Sequence, residues 1–135
     1  MKKVLVVDDN KDNIFLIRYI LQKSGYQVIE AIDGLSGVRL AIEEKPDLIL
    51  MDIQLPDIDG LEATQRIRES GANGNVPIIA LTAFAMSGDR DRALAAGCTG
   101  YITKPINVKS FTNAIEKYLA AAQSVESVIR PKGGE

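Results

Sequence analysis

Val4-Leu5-Val6-Val7-Asp8-Asp9-Asn10, at the start of the chain, decides how the rest is read. Four consecutive apolar residues lack the alternation of a half-exposed strand. They suit a strand buried on both faces, which belongs in a parallel sheet covered by helices. The pattern returns in Leu48-Ile49-Leu50-Met51-Asp52, in Ile78-Ile79-Ala80-Leu81-Thr82 and, less apolar, in Gly100-Tyr101-Ile102-Thr103-Lys104. Each run stops at a polar or charged residue. Gln27 to Ala31 reads as one more strand, polar enough to sit at a sheet edge.

Between these runs the apolar period becomes helical. Ile14, Ile17 and Leu21 recur at i, i+3, i+7 behind a cap at Asn10 or its neighbours, and Ser24-Gly25 closes that helix. Asp33-Gly34 leads into a helix carrying Leu35, Val38 and Ile42, ended by Lys45-Pro46, since the residue before proline avoids the helical region. Ile53 to Gly60 is a loop, followed by a short helix with Leu61 and Ile67 inward. A loop at 71–75, a helix from about Ser87 to Ala96 ending at Gly97, and a last helix striped by Phe111, Ile115, Tyr118, Leu119 and Ala122 complete the chain. Met51 and Met86 read as core filling. Five β-then-α units predict an α/β fold: a five-stranded parallel sheet, doubly wound by right-handed crossovers, with helices on both faces. Residues 1–121 are expected to form one domain. Residues 122–135, with Ser, Pro and Gly and no clear period, are expected to be a flexible helix end and tail.

Composition narrows the function. The 135 residues suit a single domain, and 46% hydrophobic with 25% charged is ordinary globular composition. Sixteen basic against eighteen acidic residues give a net charge of −2, which argues against nucleic-acid binding. The chain has no histidine, which excludes Ser-His-Asp and Cys-His sites and any His-ligated metal. Cys98 has no second cysteine to pair with, so a cytoplasmic location is expected, with Cys98 as a small packed hydrophobe. The first apolar run is too short for a signal peptide, and no stretch approaches the roughly 20 apolar residues of a membrane span.

In an open parallel sheet, ligands bind outside the carboxyl ends of the strands. The residues there are Asp8, Asp9, Asp52, Thr82 and Lys104. Each has a bland reading: the aspartates and Thr82 as turn or cap residues, Lys104 as a solvated loop lysine. Those readings do not explain why all five leave the same edge. Three clustered carboxylates repel one another and raise one another's pKa, so the arrangement calls for a cation. All-oxygen ligands suit Mg²⁺, which binds through one or two carboxylates plus a phosphate. With a lysine and a hydroxyl nearby, this is equipment for phosphoryl transfer onto a carboxylate.

VLVVDDN at 4–10, DLILMDIQLPDIDG at 47–60, PIIALTA at 77–83 and GYITKPI at 100–106 resemble, in that order, the response-regulator receiver domains of the CheY-like family. The resemblance covers residues 2 to about 121 and suggests the stand-alone, single-domain type, or a piece of a larger protein. It implies a flavodoxin-like sheet of order 2-1-3-4-5. It implies Asp52 as the phosphoryl acceptor, with Lys104 pairing with the phosphoryl oxygens and Thr82 donating its hydroxyl to them. Asp9, Asp52 and the backbone carbonyl of Gln54 would hold Mg²⁺, with Asp8 acting through a metal-bound water. Thr82 and Tyr101 would form the switch, and the bond before Pro105 would be cis. Gln54, Ala83 and Phe84 fall where the family varies and would tune phosphoryl lifetime.

The function so implied is a phosphorylation-dependent switch of a two-component or phosphorelay system, not an enzyme beyond its own phosphorylation and dephosphorylation. A sensor histidine kinase or histidine phosphotransfer protein would be the donor. A downstream protein would be met through the face of helix 4, strand 5 and helix 5, where Arg90 and Arg92, otherwise part of a solvated helix face with Asp89 and Asp91, would lie. No nucleic acid and no membrane would be involved. A dehalogenase-like phosphatase would want a second aspartate where Gln54 stands. A flavodoxin-like cofactor binder would want a Ser/Thr-rich phosphate loop where Asp8-Asp9-Asn10 would repel phosphate.

Overall fold

A strand with no exposed face must place its backbone hydrogen bonds on neighbouring strands, and the apolar runs do so on one another. In the computed structural model, which describes residues 1–72, 74–83 and 87–129, β1 (Lys3–Val7) pairs in parallel with β2 (Gln27–Ala31) and with β3 (Leu48–Asp52). β3 pairs with β4 (Ile78–Thr82), and β4 with β5 (Gly100–Thr103). The order is β2-β1-β3-β4-β5, with the polar β2 at an edge. Asp52 and Thr82 are the last residues of their strands rather than the first of the loops beyond, and Asp52 is in register with Leu81.

Alternation within each strand sorts the core into two layers. Val4, Val6, Leu48, Leu50, Ile79 and Leu81 pack with α1 (Lys11–Lys23) and α5 (Val108–Ile129) through Ile14, Ile17, Leu21, Phe111, Ile115 and Leu119. Leu5, Val7, Ile49, Met51, Ile78 and Ala80 pack on the other face with α2 (Gly34–Glu44), α3 (Gly60–Ser70) and α4 (Ser87–Ala96). Helices therefore cover both faces. Asn10 caps α1, its side-chain oxygen accepting from the amides of Asp12 and Asn13. Cys98 is buried in the second layer, its thiol 3.7 Å from the Thr64 hydroxyl.

The buried face of α2 differs from the expected stripe. Leu35 is 51% exposed and Val38 and Ile42 are half-buried; Gly34, Gly37 and Ala41 are the buried residues instead, Gly37 against β1 and Gly34 against the β3–α3 loop. The helix lies too close to β1 for larger residues, since a Cβ on Gly37 would stand 2.9 Å from the Val7 side chain. Lys45, barred from the helical region by Pro46, ends α2 in the left-handed conformation at φ 48°. α5 runs on to Ile129. Phe84 and Met86, and residues 130–135 of the expected tail, lie outside the described residues.

Candidate functional site

The carboxyl edge of the sheet is tied together by backbone bonds that run just past the strand ends. The Asp8 amide donates to Ala31 O at 3.0 Å, the Ile53 amide to Leu81 O at 3.1 Å and the Lys104 amide to Thr82 O at 2.7 Å. These bonds hold the residues following β1, β3 and β5 in register with neighbouring strand ends. The Lys104–Pro105 bond is cis.

Asp8, Asp9 and Asp52 meet there, with one carboxylate oxygen from each lying within 4.8 Å of the others. Asp8 and Asp52 are buried and Asp9 is exposed. Lys104 Nζ stands 3.1 Å from Asp52 Oδ2 and 3.5 Å from Asp8 Oδ2. Asp8 Oδ1 accepts the Asn10 amide at 2.9 Å, and Asp52 Oδ1 accepts the Gln54 amide at 3.1 Å. Thr82 is buried at the end of the neighbouring strand. Tyr101, half-buried in β5, packs against the second core layer, and the Arg90 guanidinium lies 5.8 Å from its ring centroid.

The electrostatics are unbalanced. One lysine faces two buried carboxylates, and Asp8 Oδ2 is buried without a hydrogen-bond partner. Burial, and then the Asp8 charge, push the Asp52 carboxyl up to about 6, against the pull of Lys104 and the Gln54 amide. A buried acceptor left unsatisfied costs about 1–3 kcal/mol. A buried Asp8 oxygen with an ion pair to Lys104 but no hydrogen bond, the buried Asp52 carboxylate and a third, solvent-facing carboxylate make a donor set of hard oxygens. Such a set could hold a metal ion with one side open to solvent or a ligand.

The five residues singled out in sequence thus come to one edge, four of them in a contiguous charged cluster with Thr82 at the adjoining strand end. Two structural residues of the site were not legible. Gly60, read as part of a turn, is the first residue of α3 and sits directly on β3: a Cβ there would lie 2.1 Å from Asp52 O. Asp57 accepts backbone amides from the start of α2, a contact spanning more than twenty residues that no local pattern announces.

A doubly wound five-stranded sheet with acidic residues and a lysine gathered at its carboxyl edge defines a class of phosphoryl-receiving signalling domains, and comparison with known proteins places the chain within it. Residues 4–116 match the response regulator receiver domain, and the chain belongs to that family. It is 46% identical over 121 residues to the polar-differentiation response regulator DivK of Brucella anthropi, covering 90% of this chain and 98% of that protein. Among solved structures it is similar to the receiver domain of the sensor histidine kinase PA1611 of Pseudomonas aeruginosa, which has a magnesium ion coordinated in its active-site cleft. That likeness has a TM-score of 0.82 at 39% identity, over 88% of this chain and 98% of that one. It is also similar to the chemotaxis protein CheY4 of Vibrio cholerae, with a TM-score of 0.83 at 29% identity over 87% and 98%. The chain is a response regulator receiver domain of phosphorylation-dependent two-component signalling, a process whose partners are kinases or phosphotransfer proteins. No helix among the described residues is long and apolar enough to cross a membrane.

Proposed function

We propose that Asp52 is the phosphoryl acceptor and that Asp9, Asp52 and the Gln54 carbonyl hold Mg²⁺, with Asp8 acting through a metal-bound water. The observation that carries this reading is the excess of buried carboxylate over cation: Lys104 is shared by Asp8 and Asp52, and Asp8 Oδ2 has no hydrogen-bond partner. A bound Mg²⁺ would neutralise the carboxylates and the charge developing on the phosphoryl oxygens. Asp52 lies at the strand end with its carboxylate pinned by the Gln54 amide, so it presents an oriented nucleophile. Its oxygen forms a bond to phosphorus while the P–N bond of a partner's phosphohistidine breaks; the imidazole leaves with the electron pair and takes up a proton. Lys104 then pairs with the phosphoryl oxygens, and water hydrolyses the acyl phosphate in the reverse sense of the switch. The domain in this reading catalyses only its own phosphorylation and dephosphorylation.

The response runs from Thr82 to Tyr101. Phosphorylation adds about −1.5 to −2 charges and three acceptor oxygens at one point. The Thr82 hydroxyl moves toward them and Tyr101 turns inward into the space left, releasing its ring from Arg90. The face of α4, β5 and α5 thereby changes for a downstream protein. Residues 1–121 form the receiver unit, and 122–129 continue α5 beyond it. The working location is the cytoplasm, where a sensor histidine kinase or histidine phosphotransfer protein is the donor. Intact-mass measurement after incubation with acetyl phosphate tests the chemistry. Wild type gains one phosphoryl group only with Mg²⁺ present, and Asp52→Asn gains none. Modification of Asp52→Asn at the wild-type rate would refute the assignment.

A further inference from the structure

The first amides of a helix have no partner within it. In α2, Asp33 takes the Ser36 amide at 2.8 Å, but the Gly34 and Leu35 amides are taken from elsewhere. They donate to Asp57 Oδ1 at 2.8 Å and Oδ2 at 2.9 Å, one to each carboxylate oxygen. Asp57 lies in the loop between β3 and α3, so α2 is capped by a side chain from the loop that leaves Asp52. The two segments also lie close together: a Cβ on Gly34 would lie 2.5 Å from Ile58 Cγ1 and 2.9 Å from Ile58 O. Burial alone raises the Asp57 carboxyl, but the Leu35, Gly34 and Ile58 amides outweigh it and hold it below its ordinary range.

The loop is anchored at its ends as well. The Gly60 amide donates to Ile53 O at 2.7 Å and the Gln54 amide to Asp52 Oδ1 at 3.1 Å. Between these anchors the Asp57 fork is a tie to a separate element, α2, which itself rests on β1 through Gly37. We propose that Asp57 is a positioning residue for the cation: by capping α2 from the β3–α3 loop, it fixes the loop and with it the Gln54 carbonyl beside Asp52. The inference rests on the reading above that this carbonyl helps hold Mg²⁺. Mg²⁺ demands near-ideal octahedral geometry and tolerates a loose ligand poorly. Residues that orient ligands without touching the metal are commonly worth tenfold or more in affinity.

The test is calorimetric titration of the full chain with Mg²⁺, alongside metal-free thermal unfolding, for wild type, Asp57→Ala, Asp57→Asn, Gly34→Ala and Asp9→Ala. Asp57→Ala is expected to weaken Mg²⁺ binding about tenfold while the metal-free melting temperature moves by no more than about 4 °C. Asp57→Asn, which keeps one acceptor oxygen, falls between it and wild type. Gly34→Ala, which presses on Ile58 from the other side, also weakens binding. Amide exchange at Gly34 and Leu35 quickens in Asp57→Ala, independently of any metal. Wild-type Mg²⁺ affinity in both Asp57→Ala and Gly34→Ala, with Asp9→Ala unable to bind, overturns the positioning role and leaves the metal site standing. Absence of Mg²⁺ binding in wild type overturns both.

Discussion

Asp52 carries an electrostatic conflict that a proton or a bound cation relieves. Its carboxyl is pushed from 3.8 to about 6 by burial and then by Asp8. Between roughly pH 4 and 6 the metal-free native state therefore holds a proton that the unfolded chain releases. Stability in that window rises as pH falls, and above pH 6 the penalty of the buried charge is fully present. Chemical denaturation of metal-free protein should show this rise on acidification. Asp52→Asn should flatten it and add about 1–2 kcal/mol at neutral pH. A wild type whose stability falls steadily from pH 7 to 4, identically to the mutant, would contradict the assignment of the charge penalty to Asp52. Lys104→Ala acts oppositely. It leaves Asp8 and Asp52 without their shared ammonium, so metal-free stability at pH 7 should fall by about 1–3 kcal/mol, and part of the loss should return on acidification. Asp9 is exposed, so Asp9→Ala should hold or slightly raise the metal-free melting temperature while abolishing Mg²⁺ binding. A marked fall in melting temperature would make Asp9 a structural cap instead. All the charged residues in these tests were legible in the sequence, because each ends an apolar run and the carboxyl edge of a parallel sheet collects such ends. The missing hydrogen bond at Asp8 Oδ2 was not, since sequence carries no hydrogen-bond count.

Apart from α5, which runs on to Ile129 past the end expected near Ala122, the elements read in the sequence form within a residue or two of their expected ends because local signals agree with burial. Asn10, Asp33 and Asp59 cap α1, α2 and α3 through their side chains, and Gly25, Gly71 and Gly97 take the positive φ that follows α1, α3 and α4. The stripe of α2 failed because periodicity ranks residues by hydrophobicity, whereas close approach, to β1 at Gly37 and to the β3–α3 loop at Gly34, selects for small ones: Gly34, Gly37 and Ala41 won over Leu35, Val38 and Ile42. Gly60 belongs to the same class. Its absent Cβ lets α3 begin against the Asp52 carbonyl, so Gly60→Ala should cost about 1–3 kcal/mol by overpacking. It should also disturb Asp52, lowering the melting temperature by roughly 4–12 °C and the phosphorylation rate together. Wild-type stability and rate in Gly60→Ala would show that α3 shifts without strain and that its start does not position the site.

At the scale of the whole molecule, the two-layer core makes the carboxyl edge a fixed platform, and the proposed switch lies at its margin. Thr82 and Tyr101 lie on the adjacent strands β4 and β5, so the response has a short path to α4 and α5. A phosphoryl group shifts the equilibrium only by its differential contacts in the two states. Thr82→Ala should therefore accept a phosphoryl group yet lose the gain in partner affinity on phosphorylation, a gain of about 5–150-fold for couplings of ordinary size. Titrating the partner with both forms of both proteins checks this, and an undiminished ratio in the mutant would remove Thr82 from the switch. In the proposed chemistry, one carboxylate of the three receives the phosphoryl group. Borohydride cleaves an acyl phosphate and reduces its carbonyl carbon, converting a phosphorylated aspartate to homoserine. Peptide mapping after acetyl phosphate, Mg²⁺ and borohydride should find homoserine at position 52 alone. Homoserine at position 8 or 9, with Asp52 intact, would contradict it.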